Sequence, residues 1–209
     1  MKLKAEDLAG METRARAAFV NCLSGFKSAN LVGTRNAEGK TNLAIMSSTV
    51  HLGSHPPLLG LVVRPGGDER HTLRNILETG VYSLNHVHSD FIAAAHQTAA
   101  RYPSETSEFD EAGLTPTWED GFAAPLVLEA KVRLGMELRE HMPLEVNNTH
   151  LVIGEVVLAE VPEGSQRSDG SLDLVAAGSV ALSGLDAYHE GVELKRMAYA
   201  KPGMPPRQI

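Results

Sequence analysis

The sequence predicts a mainly β fold with flanking helices, an α+β chain built as an antiparallel barrel with helices packed on its outside. Three observations carry this expectation. Two long segments, Leu126–Leu138 and His150–Val161, read as strands, the second nearly continuous in β-branched residues. The turn signal Asn36-Ala37-Glu38-Gly39 separates two shorter strand-like runs. Strands do not alternate regularly with long crossover helices, as a doubly wound parallel sheet would require.

In chain order, residues 5–24 read as one helix leaning on the core, because Leu8, Met11, Ala15, Ala18, Phe19 and Leu23 recur at helical spacing and Gly25 supplies a stop. Cys22 falls between Phe19 and Leu23 on that helix and reads as a small buried hydrophobe. Leu31–Thr34 and Thr41–Thr49 form a hairpin around the turn. His55-Pro56-Pro57 removes two backbone donors, so the strand Leu58–Val63 begins only after the prolines and ends at Pro65-Gly66-Gly67. Residues 71–79 form a short helix with Leu73, Ile76 and Leu77 inward and Gly80 as its left-handed stop. A strand, Val81–Val87, follows. Ser89-Asp90 caps a helix through about Ala100 with Phe91, Ala94 and Ala95 inward. Residues 101–125, with Pro103, Pro116 and Pro125, read as a long surface excursion. Residues 162–175 read as loop and the proline-rich tail 202–209 as extended. The whole chain, 1–209, is expected to be one domain.

The composition narrows the function classes. With 209 residues, 43% of them hydrophobic and 22% charged, the chain is long enough for a real core and ordinary for a folded protein. Its formal net charge of −7 argues against nucleic acid as a partner, and ten aromatic residues are few for a base-stacking surface. A single cysteine excludes an internal disulfide and fits a reducing compartment, so the cytoplasm is expected. No apolar run is long enough for a membrane span. Lys2, Lys4, Glu6 and Asp7 occupy the place where a signal peptide needs apolar residues.

The usual nucleotide, hydrolase and zinc motifs, G-x-G-x-x-G, the phosphate loop, G-x-S-x-G, H-E-x-x-H and C-x-x-C, are absent. His51 with His55, and His86 with His88, have spacings that suit metal ligation. With no cysteine or HxxE-type partner set they read as polar positions on loops and a strand end, and no metal is assigned. More informative is Thr41 to Thr49, a strand that ends in the three hydroxyls Ser47, Ser48 and Thr49. These present donors to an anion without adding charge. Arg64 and Thr72, the latter near a helix N-terminus, are positioned by sequence to converge on the same anion. Taken alone, a hydroxyl run is also an ordinary strand end.

The run Asn21-x-Leu23-x-Gly25, Leu31-Val32-Gly33-Thr34, Gly39-x-x-Asn42-Leu43-Ala44-x-x-Ser47-Ser48, Pro56-Pro57-Leu58-Leu59-Gly60, Arg64-Pro65, His71-Thr72-x-x-Asn75-Ile76-x-Glu78-Thr79-Gly80 and Tyr82-x-x-Asn85 resembles the flavin reductase-like proteins, the FMN-binding split-barrel family. A sparser part follows at Phe109-x-x-Ala112-Gly113-Leu114 and His150-Leu151-Val152-Ile153-Gly154-Glu155-Val156. The likeness reaches about residue 162, and Tyr188 and Tyr199-Ala200-x-Pro202 are similar to family tails.

The resemblance implies a six-stranded antiparallel Greek-key split β-barrel, FMN or in its place FAD held in a groove at a homodimer interface, and NAD(P)H as co-substrate. Carried onto matching positions, Asn42, Ala44, Ser47, Ser48 and Thr49 would line the flavin, with Arg64 and Thr72 near its phosphate. His150 would sit by the nicotinamide, although Asn148-Thr149 precede it where many members have Gly-Asp. An FMN-dependent oxidoreductase is therefore expected. Its chemistry belongs to the cofactor, which accounts for the empty motif search. The alternatives are an FMN-binding electron carrier without a productive nicotinamide site and, behind it, a metal-dependent hydrolase using the histidine pairs.

Overall fold

The structure is a computed structural model that describes residues 1–66 and 71–209. Helices α1 (Ala5–Gly10) and α2 (Thr13–Leu23) lead into the short strand β1 (Lys27–Ser28), then β2 (Asn30–Arg35), β3 (Thr41–Met46), β4 (Thr49–Ser54) and β5 (Pro57–Val63). Helix α3 (His71–Thr79) and strand β6 (Val81–His86) follow. Next come a 3-10 turn at Ser89–Phe91 and the helices α4 (Ile92–Gln97) and α5 (Glu108–Ala112). The chain continues through β7 (Pro116–Thr117), β8 (Leu126–Val127), β9 (Arg133–Leu144), β10 (Thr149–Glu160), β11 (Val180–Ser183) and β12 (Ala187–Glu190).

The main sheet has the order β3-β2-β6-β9-β10-β5-β4, and every pairing in it is antiparallel. It holds one strand more than six because the chain after Ser48 folds into β4 on β5 instead of ending at a loop. The Leu58–Val63 strand begins at Pro57, and a cis His55-Pro56 bond lies in the turn before it. Gly67, read as part of that strand's end signal, lies outside the described residues.

Two hydrophobic clusters flank the sheet. Inside the barrel, Val32, Leu61, Val63, Tyr82, Leu84, Met136 and Val152 pack with Ile76 of α3. Outside it, Leu31, Leu43, Val87, Phe91, Phe109, Val127, Val180 and Leu182 form a second cluster with α4 and α5. Neighbouring residues of β2 thus enter different clusters, which is why the strand is apolar on both faces. Helix α3 ends at Gly80 with φ +73°, and Ile76 is buried. Leu77, expected inward, is 45% exposed, because the inward arc of the helix is taken by Thr72, Asn75 and Ile76.

Other expectations need correction. The helix read over 5–24 is broken between α1 and α2, where the Glu12 carboxylate accepts the N–H groups of Arg14 and Ala15 and caps a new helix. Neither helix buries a residue. Both clusters are filled by strands and by α3, α4 and α5, so α2 has no core left to meet. Cys22 is correspondingly an exposed free thiol. The segment 101–125 is no surface excursion: Glu108, Phe109, Leu114 and Ala124 are buried, with Phe109 wholly enclosed. The helix expected to run to Ala100 stops at Gln97, and the His88 side chain, not Ser89, accepts the Asp90 N–H at its start. Strands β11 and β12 arise in a stretch the sequence left unassigned.

Candidate functional site

Strands β3 and β4 are opposite edges of the seven-stranded sheet, yet only Ser47 and Ser48 separate them in the chain. The sheet must therefore curl until its two edges meet, closing a barrel without a continuous hydrogen-bonded ladder between them. Asn30 of β2 spans this seam, donating through Nδ2 to Thr49 Oγ1 at 3.3 Å. Ser48 Oγ donates to Val62 O at 2.5 Å, and Val62 N–H donates back to Ser48 O at 3.2 Å, so the crossing is fastened to β5. Ser47 is half-buried and makes no side-chain hydrogen bond to another described residue, which leaves its hydroxyl available.

The edge of β3 that β2 does not cover is satisfied by side chains. Glu108 accepts the Leu43 N–H and Thr98 Oγ1 accepts the Ile45 N–H, both at 2.9 Å. Burial pushes the Glu108 carboxyl above its ordinary range, and the bond from Leu43 partly opposes that. These contacts satisfy the outer edge of β3, on which Asn42 and Ala44 stand opposite Thr34 and Val32 on the inner face. At the far end of the strand, buried Asn42 donates through Nδ2 to Thr72 Oγ1 at 3.1 Å, joining two of the candidate residues. Asn75, one turn further along α3, donates to Thr34 Oγ1 at 3.1 Å, so α3 is bolted to the hairpin through polar groups.

Arg64 is exposed beyond the end of β5 and donates through Nη2 to Asn21 Oδ1 of α2 at 3.1 Å. Arg64 and Thr72 are engaged with different elements and are not brought into contact. His150 pairs with Val63, the residue before Arg64, so the histidine and the arginine share one rim of the barrel. Its Nδ1 lies 2.9 Å from Nε2 of His141 on β9, with the rings stacked at 20° and 5.1 Å between centroids.

Sequence reasoning missed a shallow, open polar depression beside the Asn42–Thr72 contact, to which Lys40, His71 and Arg74 contribute cationic or titratable side chains. The signal was present: His71 and Arg74 stand three apart on α3, and Lys40 directly precedes β3. It also missed His141. The other histidine pairs do not act as pairs. His51 and His55 are exposed. His86 Nδ1 is bonded to Ser179 Oγ at 2.8 Å, and His88 Nε2 lies 2.8 Å from Lys131 Nζ. No cluster of three His, Cys, Asp or Glu side chains suited to a metal occurs among the described residues.

The donor set suits a flavin nucleotide. Ser47 offers an unengaged hydroxyl, and Arg64 spends one N–H on a neutral amide. The cations beside Thr72 favour a phosphate, and none of the candidate residues is a carboxylate. A curled antiparallel sheet that is joined at a two-residue seam, with hydroxyls and cations along it, defines the split-barrel class of proteins. Residues 24–179 match the family model of the flavin reductase like domain, and the chain belongs to that flavin-binding family. A split-barrel protein of flavin reductase type from Shewanella frigidimarina NCIMB 400 superposes with a TM-score of 0.93 at 48% identity, covering 96% of this chain and 100% of that one. Nitrilotriacetate monooxygenase component B from Bacillus cereus shares the fold at 24% identity, with a TM-score of 0.82 over 94% of this chain and 98% of that one. Flavoredoxin of Desulfovibrio vulgaris (Miyazaki F) does so at 22% identity, with a TM-score of 0.71 over 97% and 98%. Among the described residues no helix is long and apolar enough to cross a membrane.

Proposed function

We propose that this protein is an FMN-dependent oxidoreductase that takes hydride from NAD(P)H and passes electrons to flavin or another acceptor. The observation that carries the reading is the Ser47-Ser48 crossing at the barrel seam in a chain of the flavin reductase-like family. Strand β3 with this crossing runs about 25 Å at roughly 3.3 Å per residue, long enough to lie along an extended mononucleotide. Asn42, Ala44, Ser47, Ser48 and Thr49 line the flavin in this reading, with Arg64 and Thr72 toward the phosphate and Lys40 and Arg74 adding positive charge beside Thr72. Bound FMN would supply the hydride-accepting chemistry, while the chain orients the two rings and excludes water. His150, on the rim shared with Arg64, positions the nicotinamide.

The protein acts as a homodimer in the same reading. The outer face of β4, β5 and β10 supports this, because Val50 and Leu52 are 50% and 45% exposed there and lie with Leu151 over Gly60. The exposed free thiol of Cys22 fits the reducing cytoplasm.

The test is the absorption spectrum of the purified protein, followed by anaerobic mixing with NADH and with NADPH. A flavin spectrum that bleaches with either nucleotide is the expected result. A flavin spectrum that neither nucleotide bleaches would instead assign the electron-carrier role, and a protein that takes up no flavin would overturn the proposal.

A further inference from the structure

The His141–His150 contact is a side-chain interaction that the proposed role of His150 does not itself require. The residues are nine apart in sequence and come from the two strands of the β9–β10 hairpin: His141 pairs with Val152 and His150 with Pro143. They lie diagonally on one face, two residues out of step, which puts Nε2 of His141 2.9 Å from Nδ1 of His150. On the other side of His150, its register partner on β5 is Val63, which is buried, so one neighbour on that face is a fixed core residue and the other is the second imidazole.

A hydrogen bond between two neutral imidazoles needs one N–H and one lone pair. Neutral histidine in water prefers the proton on Nε2. If His141 donates through Nε2–H to the bare Nδ1 of His150, both rings keep that preferred tautomer. The opposite polarity forces both into the less favoured one. Burial together with the neighbouring His150 also pushes the His141 imidazole below its ordinary range, which favours its neutral form.

We infer that His141 is a positioning residue that donates its Nε2–H to Nδ1 of His150, fixing the His150 ring and leaving Nε2–H as the donor that faces a ligand. In the nicotinamide reading, on which the functional consequence rests, that donor meets the carboxamide oxygen of NAD(P)H. His141 itself touches no substrate. Its effect on turnover is carried entirely by the orientation of its neighbour.

The experiment uses the full-length protein with FMN added, and compares wild type with His141→Phe, which keeps a flat ring, and His141→Gln, whose side-chain amide reaches the same point and can donate. Ring nitrogen NMR without NAD(P)H reads the tautomer directly. Wild type and His141→Gln should show His150 protonated on Nε2 with Nδ1 accepting a hydrogen bond, whereas His141→Phe should show a tautomer mixture. Steady-state reduction should show KM for NAD(P)H raised about threefold to tenfold in His141→Phe, restored in His141→Gln, with kcat changed less than twofold. His150 protonated on Nδ1 in wild type, or unchanged by His141→Phe, would overturn the inference. His150→Ala isolates the underlying reading. If it leaves KM unaltered the nicotinamide role fails, while the NMR comparison still decides whether His141 sets the ring.

Discussion

The Tyr82 hydroxyl occupies the space that a side chain at Gly154 would need. Tyr82 of β6 is wholly buried in the inner cluster, and its ring lies over the β10 backbone where Gly154 leaves it bare. The hydroxyl has no hydrogen-bond partner among the described residues, and burial pushes its pKa well above the ordinary range. Gly154→Ala should therefore lower stability by about 1–3 kcal/mol through overpacking. Tyr82→Phe removes an unsatisfied polar group and should leave stability unchanged or raise it by about 1 kcal/mol. Denaturant unfolding of the two variants and of the double mutant measures both effects. A Tyr82→Phe protein less stable than wild type would show that the hydroxyl is satisfied in solution.

Flavin affinity should depend on the seam. Ser47→Ala combined with Arg64→Ala removes the unengaged hydroxyl and the rim guanidinium, each lost charge-assisted bond costing on the order of 1.5–3 kcal/mol. Titration with FMN should show Kd raised at least tenfold in the double mutant, with thermal stability little changed because both groups are bonded weakly or not at all within the chain. Equal affinity would remove these residues from the FMN site.

Glu108 should act as a strand cap. Glu108 is 6% exposed and its carboxylate accepts the Leu43 N–H, so Glu108→Ala leaves a buried donor bare and should cost about 1–3 kcal/mol. Glu108→Gln keeps an acceptor at that point and should recover most of the loss. Hydrogen exchange at Leu43 separates this cause from a general loosening: the Leu43 amide should lose protection in the alanine variant and keep it in the glutamine variant.

His86 predicts acid sensitivity. Burial pushes its imidazole from the ordinary 6.5 down to about 4, so the folded state binds its proton less readily than the unfolded chain. The stability that neutral His86 contributes is complete above pH 6.5 and is lost as pH falls toward 4, a difference of roughly 3 kcal/mol. The urea midpoint of wild type should fall as pH drops from 7 to 4, and that of His86→Gln, which has no imidazole to protonate, should fall less. Parallel pH profiles would locate the sensitivity elsewhere.

What the sequence determined by itself is local. The hairpin turn at Asn36–Gly39, the bounds of α3 with Gly80 after it, and the strand character of β5 and β10 follow from turn chemistry and side-chain period, which act within a few residues, whereas the single strand read over Leu126–Leu138 is split by a turn at 128–132 into β8 and a β9 that runs on to Leu144. The stretch from Asn42 to Thr72 was legible as a candidate site for the same reason, since its hydroxyls and cation lie close together in the chain. Tertiary structure alone decided which apolar face found a partner. Helix α2 has a helical spacing of apolar residues, but the clusters it would have joined were filled by strands, so Cys22 stands in solvent. Segment 101–125 has prolines and charges, yet it buries Phe109 and Glu108 because the edge of β3 needs a cover and an acceptor. His141 carried no sequence signal. Its meeting with His150 depends on the β9–β10 register, set by the hairpin and by the irregularity at Ile153/Gly154, and a shift of one residue would send one ring to the opposite face.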